Sequence, residues 1–209
     1  MNHPRSQYAH LSEPYLAIAI VVAAVIVVLV VFVALRFREG RPGAPSRRAH
    51  ASVLEGAYVA VLAGVAAVLL VMTFRAEGRV DAISRPPALR VDVTAARWNW
   101  RFDYPRYGVT VPGTDTRPST LVVPAGALVR FRVKSLDVVH AFWLPAERFK
   151  KDANPSRWNT FELVFHGPGH FEGACSEFCG LRHADMRFNV EVLAPAVFQT
   201  WLRQKGATP

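Results

Sequence analysis

Two long apolar runs come first in the chain, and shorter alternating segments follow them. No residue from 14 to 35 carries a charge. At about 1.5 Å of rise per residue a helix over that stretch reaches about 33 Å, enough to cross a bilayer's hydrocarbon core. A second uncharged run covers 56–74. Both are apolar all round rather than along one stripe, which favours spanning helices over a buried soluble pair. The pattern predicts a helix hairpin over 14–75, with Ser12 as cap and Pro14 in the first turn. A secretory signal peptide competes for the first run, since Arg5 precedes it. That run is longer than a signal core, and Arg36, Phe37 and Arg38 follow it instead of a small-residue cleavage site, so it is read as retained.

Beyond the second run the period shortens to that of strands. Ser84, Arg85, Pro86 and Pro87 break any helix within a linker over 76–88. Segments rich in valine and aromatics predict strands over 89–104, 121–123, 128–133, 138–144, 160–165 and 187–193, with one more immediately preceding Cys175. Short strands separated by Pro and Gly indicate a sandwich or barrel over 89–194. Pro195 opens a short helix to 205 that places Val197, Phe198, Trp201 and Leu202 at helical spacing. Residues 1–13 and the tail to 209 complete the chain.

Charge gives the orientation. The loop between the helices, about 36–52, holds Arg36, Arg38, Arg41, Arg47 and Arg48 against Glu39. By the positive-inside rule it is cytoplasmic, so the N-terminus and everything after Phe74 are exterior. Arg75, Arg79, Arg85 and Arg90 follow the second helix, but Glu77 and Asp81 offset them, and a long domain translocates largely regardless of charge. The arginines behind the net +9 are scattered and accompany no recognition motif, so no nucleic-acid partner is expected.

The densest chemistry is Cys175-Ser176-Glu177-Phe178-Cys179-Gly180-Leu181-Arg182-His183-Ala184-Asp185-Met186, which holds both cysteines of the chain. Thiolate, thioether and imidazole form a soft donor set that points to copper; zinc fits the ligand count, but its structural sites rarely use Met. A disulfide between the cysteines is the competing reading outside the cytoplasm. A second imidazole must come from elsewhere. His140, in Asp137-Val138-Val139-His140 at the end of an apolar strand, is the best candidate, and His166 and His170 compete from beside Gly167-Pro168-Gly169.

Together, Cys-Ser-Glu-Phe-Cys-Gly-x-x-His-x-x-Met, Asp-Val-Val-His and two preceding membrane helices resemble subunit II of haem-copper cytochrome c oxidases, from the first helix to the last strand. The resemblance implies a two-helix transmembrane hairpin and an all-β exterior domain, a cupredoxin-like Greek-key β-sandwich, with a short C-terminal helix. It implies a binuclear copper centre (CuA) bridged by Cys175 and Cys179. His140 and Met186 complete one copper, and His183 and the Glu177 carbonyl complete the other. The Glu177 side chain turns towards a magnesium ion at the boundary with the catalytic subunit. Trp98, in Trp98-Asn99-Trp100-Arg101-Phe102-Asp103-Tyr104, takes the position where electrons arrive, although Asn99 replaces the usual Tyr. Glu55, in Leu54-Glu55, takes the mouth of a proton channel, although the Trp-Thr pattern that commonly follows is absent.

The expected function is electron input to a respiratory terminal oxidase in a bacterial inner membrane. Single electrons pass from a cytochrome-type donor through copper to haem in subunit I, where oxygen is reduced, with subunit III as a further partner. A CuA subunit of a nitric oxide reductase, a membrane-tethered copper carrier and a disulfide-bonded binding module are the alternatives. From residue 76 onward there are 18 Lys and Arg against 13 Asp and Glu, a net of +5. Such a balance repels a basic soluble cytochrome and points to a membrane-bound, fused or acidic donor. Asp103, Asp137, Asp152 and Asp185 are the candidates for a local acidic patch.

Overall fold

The computed structural model describes residues 4–38, 52–80, 83, 86–114 and 116–207. Glu39, Arg41, Arg47 and Arg48 of the basic loop, and Asp81, Ser84 and Arg85 beyond the second helix, lie outside them. Two compact units divide the chain, one of them Tyr8–Glu77 and the other containing Gly78–Pro209.

The first unit is a pair of helices, α1 over Pro4–Arg36 and α2 over Ser52–Val80. Each is long and apolar enough to cross a membrane, and their apolar windows are not buried within the molecule. Both helices extend beyond the apolar runs, because hydropathy marks the membrane-spanning part of a helix and not its ends. Pro14 accordingly lies inside α1, and Ser12 donates from Oγ to the Ala9 carbonyl at 3.2 Å instead of capping a helix start. Tyr15 ties the pair together, donating to the Leu69 carbonyl at 2.9 Å and sharing a hydrogen bond with the Thr73 hydroxyl. A polar group in hydrocarbon has to be satisfied internally in this way.

Among the described residues, ten strands build the exterior domain. In chain order they are β1 Leu89–Ala96, β2 Asn99–Tyr104, β3 Val109–Pro112, β4 Thr120–Pro124, β5 Leu128–Ser135, β6 His140–Leu144, β7 Phe149–Ala153, β8 Asn159–Val164, β9 Gly169–Cys175 and β10 Arg187–Leu193. One sheet runs β3-β2-β1-β5-β8 and the other β4-β10-β9-β6-β7. The β1–β5 and β4–β10 pairs are parallel and the rest antiparallel. Strand alternation explains the layering. In β5, Val129, Phe131 and Val133 are wholly buried, while Arg130, Arg132 and Lys134 face outward. Between the sheets Phe142 stacks on Phe188 with centroids 4.8 Å apart, and Phe131 on Phe161 at 5.1 Å.

The expected strand over 89–104 is instead a hairpin. Its buried positions are Val91, Val93 and Ala95 and then Trp100, Phe102 and Tyr104. Odd numbers give way to even ones, which a single strand with period two cannot accommodate. Arg97 and Trp98 form the turn, with Ala96 opposite Asn99. β3 and β7 were not expected. Both are short strands at sheet edges, and β7 carries Lys150, Lys151 and Asp152, charges that blunt an edge and erase the alternation.

The last helix, α3 over Pro195–Gln204, buries Phe198 and Leu202 and sets Trp201 edge-on to Tyr104, with centroids 5.2 Å apart. The Tyr104 hydroxyl donates to the Val122 carbonyl at 2.8 Å and accepts from the Val122 amide at 2.9 Å, tying β2 in one sheet to β4 in the other. Tyr104→Phe leaves both buried groups without that partner, so a loss of about 1–3 kcal/mol is expected. Urea unfolding of the chain followed by tryptophan fluorescence measures it.

Candidate metal centre

The 175–186 loop and the start of β6 bring the soft donors together, and the β1–β2 turn lies against that loop. Cys175 ends β9, and its amide bonds the Met186 carbonyl at 2.9 Å, closing residues 175–186 into a loop. Within it Gly180 has φ +120°, in the left-handed region that glycine adopts without strain, and a single helical turn covers His183–Asp185. His140 opens β6, and Ser176 donates its amide to the Ala141 carbonyl at 3.2 Å, fastening that strand to the loop. The β1–β2 turn carries Trp98.

The donor atoms converge. The two sulfurs are 3.9 Å apart, nearly twice the disulfide bond length of about 2.05 Å, and both cysteines are free. The disulfide reading therefore does not describe this structure. Two thiolates each about 2.3 Å from a shared ion lie at most about 4.6 Å apart, so this spacing lets both touch one metal. His140 Nδ1 is 3.8 Å from Cys175 Sγ, His183 Nδ1 is 3.6 Å from Cys179 Sγ, and Met186 Sδ is 3.8 Å from Cys179 Sγ. The Glu177 carbonyl accepts from Cys175 Sγ at 3.2 Å. Both cysteines, His140 and Met186 are buried, whereas His183 is half-buried. Cys175, Cys179 and His140 thus form a candidate metal site whose donor set suits copper.

Polar partners orient the site. The other ring nitrogen of His140, Nε2, bonds Asp137 at 2.8 Å, the carboxylate–imidazole arrangement that fixes a metal-binding histidine. Asp137 also accepts from the Arg97 and Val138 amides and from the Ser135 hydroxyl. Burial favours the neutral acid, but these hydrogen bonds outweigh it and hold the carboxyl well below the usual range. The His140 pKa is raised: burial opposes its charge, and its bonds to Cys175 and Asp137 prevail. Periodicity along the chain does not single out Asp137 for this task. Its only signal was a carboxylate three residues before the histidine.

The thiols differ. Burial raises the Cys175 pKa, but hydrogen bonds from His140, the Ala141 and Glu177 backbone and His183 bring it down to about 6. Burial and the neighbouring Cys175 charge push Cys179 up to about 12. In the metal-free chain, ultraviolet thiolate absorbance should rise by one thiolate near pH 6, with the second appearing only in strong base.

The remaining expected residues separate clearly. Trp98 lies against the metal loop: a β-carbon added to Gly180 would sit 3.4 Å from its ring, and the Arg182 guanidinium lies 6.0 Å over it. Trp98 Nε1 is buried with no partner among the described residues. Trp100 is wholly buried; its Nε1 approaches the Met186 carbonyl at 3.5 Å and its ring meets His140 edge-on. His166 and His170 are exposed, in the β8–β9 turn and on β9, outside this cluster. Glu55 is exposed in the first turn of α2. The four aspartates form no acidic patch, because each faces a cation. Asp103 pairs with Arg101 at 2.9 Å, Asp137 with Arg97 at 3.2 Å, Asp152 with Lys150 at 3.8 Å and Asp185 with Arg182 at 3.8 Å.

A two-sheet sandwich holding soft metal donors in the 175–186 loop and at the start of β6 is a cupredoxin-like domain. Residues 111–193 match the family model of the cytochrome c oxidase subunit II periplasmic domain. The probable cytochrome c oxidase subunit 2 of Streptomyces avermitilis is 29% identical over 205 residues, covering 78% of this chain and 64% of that protein. Its counterpart in Rickettsia bellii is 27% identical over 193 residues, covering 85% and 71%. The crystal structure of the periplasmic domain of the oxidase subunit II (CoxB) of Bradyrhizobium japonicum superposes with a TM-score of 0.55 at 29% identity, covering 59% of this chain and 97% of that one. The exterior domain belongs to the cytochrome c oxidase subunit II family, on a chain with two helices able to span a membrane. The chain spans about three-fifths of the length of the Streptomyces relatives it matches.

Proposed function

We propose that the chain is the electron-input subunit of a respiratory oxidase and holds two copper ions between the Cys175 and Cys179 thiolates. The carrying observation is two unbonded sulfurs 3.9 Å apart, with an imidazole nitrogen 3.6–3.8 Å from each. His140 and Met186 complete one ion's ligands, and His183 and the Glu177 carbonyl the other's. Bound copper supplies one-electron exchange. The chain supplies a rigid, buried cage: β6, β9 and the loop that Gly180 turns are fastened by backbone bonds, so the ligands move little when charge changes.

Trp98 is the electron port, because its ring packs on the metal loop at Gly180. The Glu177 carboxylate, which accepts from Lys150 at 3.3 Å, is half-exposed and able to face a magnesium ion beside the catalytic subunit. Glu55 serves a proton-channel mouth at the cytoplasmic end of α2. The exterior domain is periplasmic and the helices lie in the inner membrane, beside a haem-bearing subunit I that reduces oxygen and a subunit III.

Metal analysis with electron paramagnetic resonance of the purified chain tests the copper reading. Two coppers per chain sharing one unpaired electron are expected. A single-copper spectrum, or a Cys175–Cys179 disulfide without metal, would overturn it.

A further inference from the structure

The outer face of the β3-β2-β1-β5-β8 sheet carries its charges in two layers. Residues alternate along the strands, so the neighbours of the buried Val91, Val93, Phe131 and Val133 face outward together. Register makes them one patch: Arg90 lies beside Arg130, Asp92 beside Arg132, Thr94 between Arg101 and Lys134, and Glu162 opposite Arg130. Each carboxylate sits lower than the guanidinium that grips it. Arg90 binds Asp92 at 2.9 Å, their side chains 41% and 14% exposed, and Arg130 binds Glu162 at 2.6 Å, at 24% and 6%. Arg101 over Asp103 and Arg132 over Asp92 follow the same order. The acids hold the guanidiniums from beneath, and the layer that meets solvent is cationic. Trp158, just ahead of β8, adds a half-exposed aromatic ring to it, with Arg132 4.4 Å and Lys134 4.6 Å from the ring centroid. Lys134 has no carboxylate partner among the described residues. The two layers do not cancel, since Arg90, Arg101, Arg130, Arg132 and Lys134 outnumber Asp92, Asp103 and Glu162 by two.

We infer that this face docks an acidic segment of a protein partner, whose carboxylates meet the guanidinium layer while its chain lies against Trp158. Charge complementarity sets the sign of the occupant. A guanidinium has five N–H donors, and the carboxylate beneath it takes only some of them, which leaves the outward ones for a second carboxylate. The size of the patch argues for a chain and not a small ion. Its cations extend from β2 to β8, three strand spacings of about 4.8 Å, or roughly 14 Å, which is farther than one phosphate or acetate reaches. Arginines already fixed by buried acids lose little freedom on binding, and Trp and Arg are the side chains that dominate protein interfaces. The patch occupies the flat of the sheet and uses neither the 175–186 loop nor the β1–β2 turn, so copper plays no part in it.

The test uses the purified full chain in a neutral detergent at about 20 mM salt, titrated with a glutamate decapeptide and followed by tryptophan fluorescence and calorimetry. One peptide per chain is expected, with a fluorescence change that Trp158→Phe removes. Arg132→Gln combined with Lys134→Gln should weaken binding about tenfold. Arg203→Gln combined with Lys205→Gln removes the same charge from exposed positions at the end of α3 and should weaken it less than about twofold. Lys134→Gln alone breaks no ion pair, so it stays informative should Arg132→Gln disturb Asp92. Equal weakening by the two pairs would reduce the effect to net charge and overturn the inference, as would an absence of binding. Tighter binding of a ten-residue oligothymidylate than of the peptide would overturn it in favour of nucleic acid. Displacement of the peptide by inorganic phosphate, beyond that by sodium chloride of equal ionic strength, would overturn it in favour of a small-anion site.

Discussion

Cys179→Ser is expected to abolish the two-copper signal and slow electron transfer into the oxidase by more than a factor of about 100, leaving the sandwich folded. Changing a group that merely orients a metal ligand typically costs about 10- to 100-fold, and a bridging ligand lost from two ions costs more. Serine matches the thiol in shape, so Cys179, buried in the loop, is replaced without opening a cavity. Its hydroxyl is a hard, neutral donor that does not bridge soft metal as a thiolate does. Cys175→Ser shares the outcome for the same reason. Resonance spectra of both variants, with stopped-flow reduction of the assembled complex, measure the effect. A surviving two-copper spectrum in either would remove the bridging role.

Local features of the site were legible in the chain, and features built from long-range pairing were not. The spacing of Cys175, Cys179, His183 and Met186 places four donors in one loop, which is short-range information. His140 could be ranked above His166 and His170 because it lies in an apolar strand segment, and the structure, in which it opens β6, brings it alone of the three to the sulfurs. That Asp137 orients it depends on a bond between side chains whose direction periodicity does not carry. The packing of Trp98 on Gly180 joins residues about 80 positions apart, a proximity set by the whole sandwich. The break at Trp98 was different. The switch of buried positions from odd to even numbers was present in the residues, but the continuous run of valines and aromatics masked it. β3 and β7 were lost for a physical reason: a strand of four or five residues at an edge needs little apolar surface. Counting aspartates suggested an acidic patch, although Arg101, Lys150 and Arg182 lie within three residues of Asp103, Asp152 and Asp185; only the pairing of Arg97 with Asp137 joins distant positions that the fold has to bring together.

Gly173→Ala, at a residue without chemistry of its own, is expected to destabilise the exterior domain by about 2–3 kcal/mol, lowering its melting temperature by roughly 5–15 °C. Gly173 lies on β9, two residues before Cys175, directly opposite Phe188 on β10. A β-carbon there would overlap the Phe188 ring. That ring is not free to yield: it is wholly buried, stacked on Phe142 and edge-on to Trp100 and Phe102, with centroids 4.8–5.5 Å away. The strain therefore passes either to the aromatic core or to the β9–β10 ladder, which also positions Cys175 and Met186. Differential scanning calorimetry of the metal-free chain measures the loss. The double variant Gly173→Ala with Phe188→Leu separates this collision from a backbone effect. If the ring is the obstacle, alanine at 173 costs far less beside leucine at 188 than beside phenylalanine. Equal costs in the two backgrounds would show that the glycine is needed for some other reason.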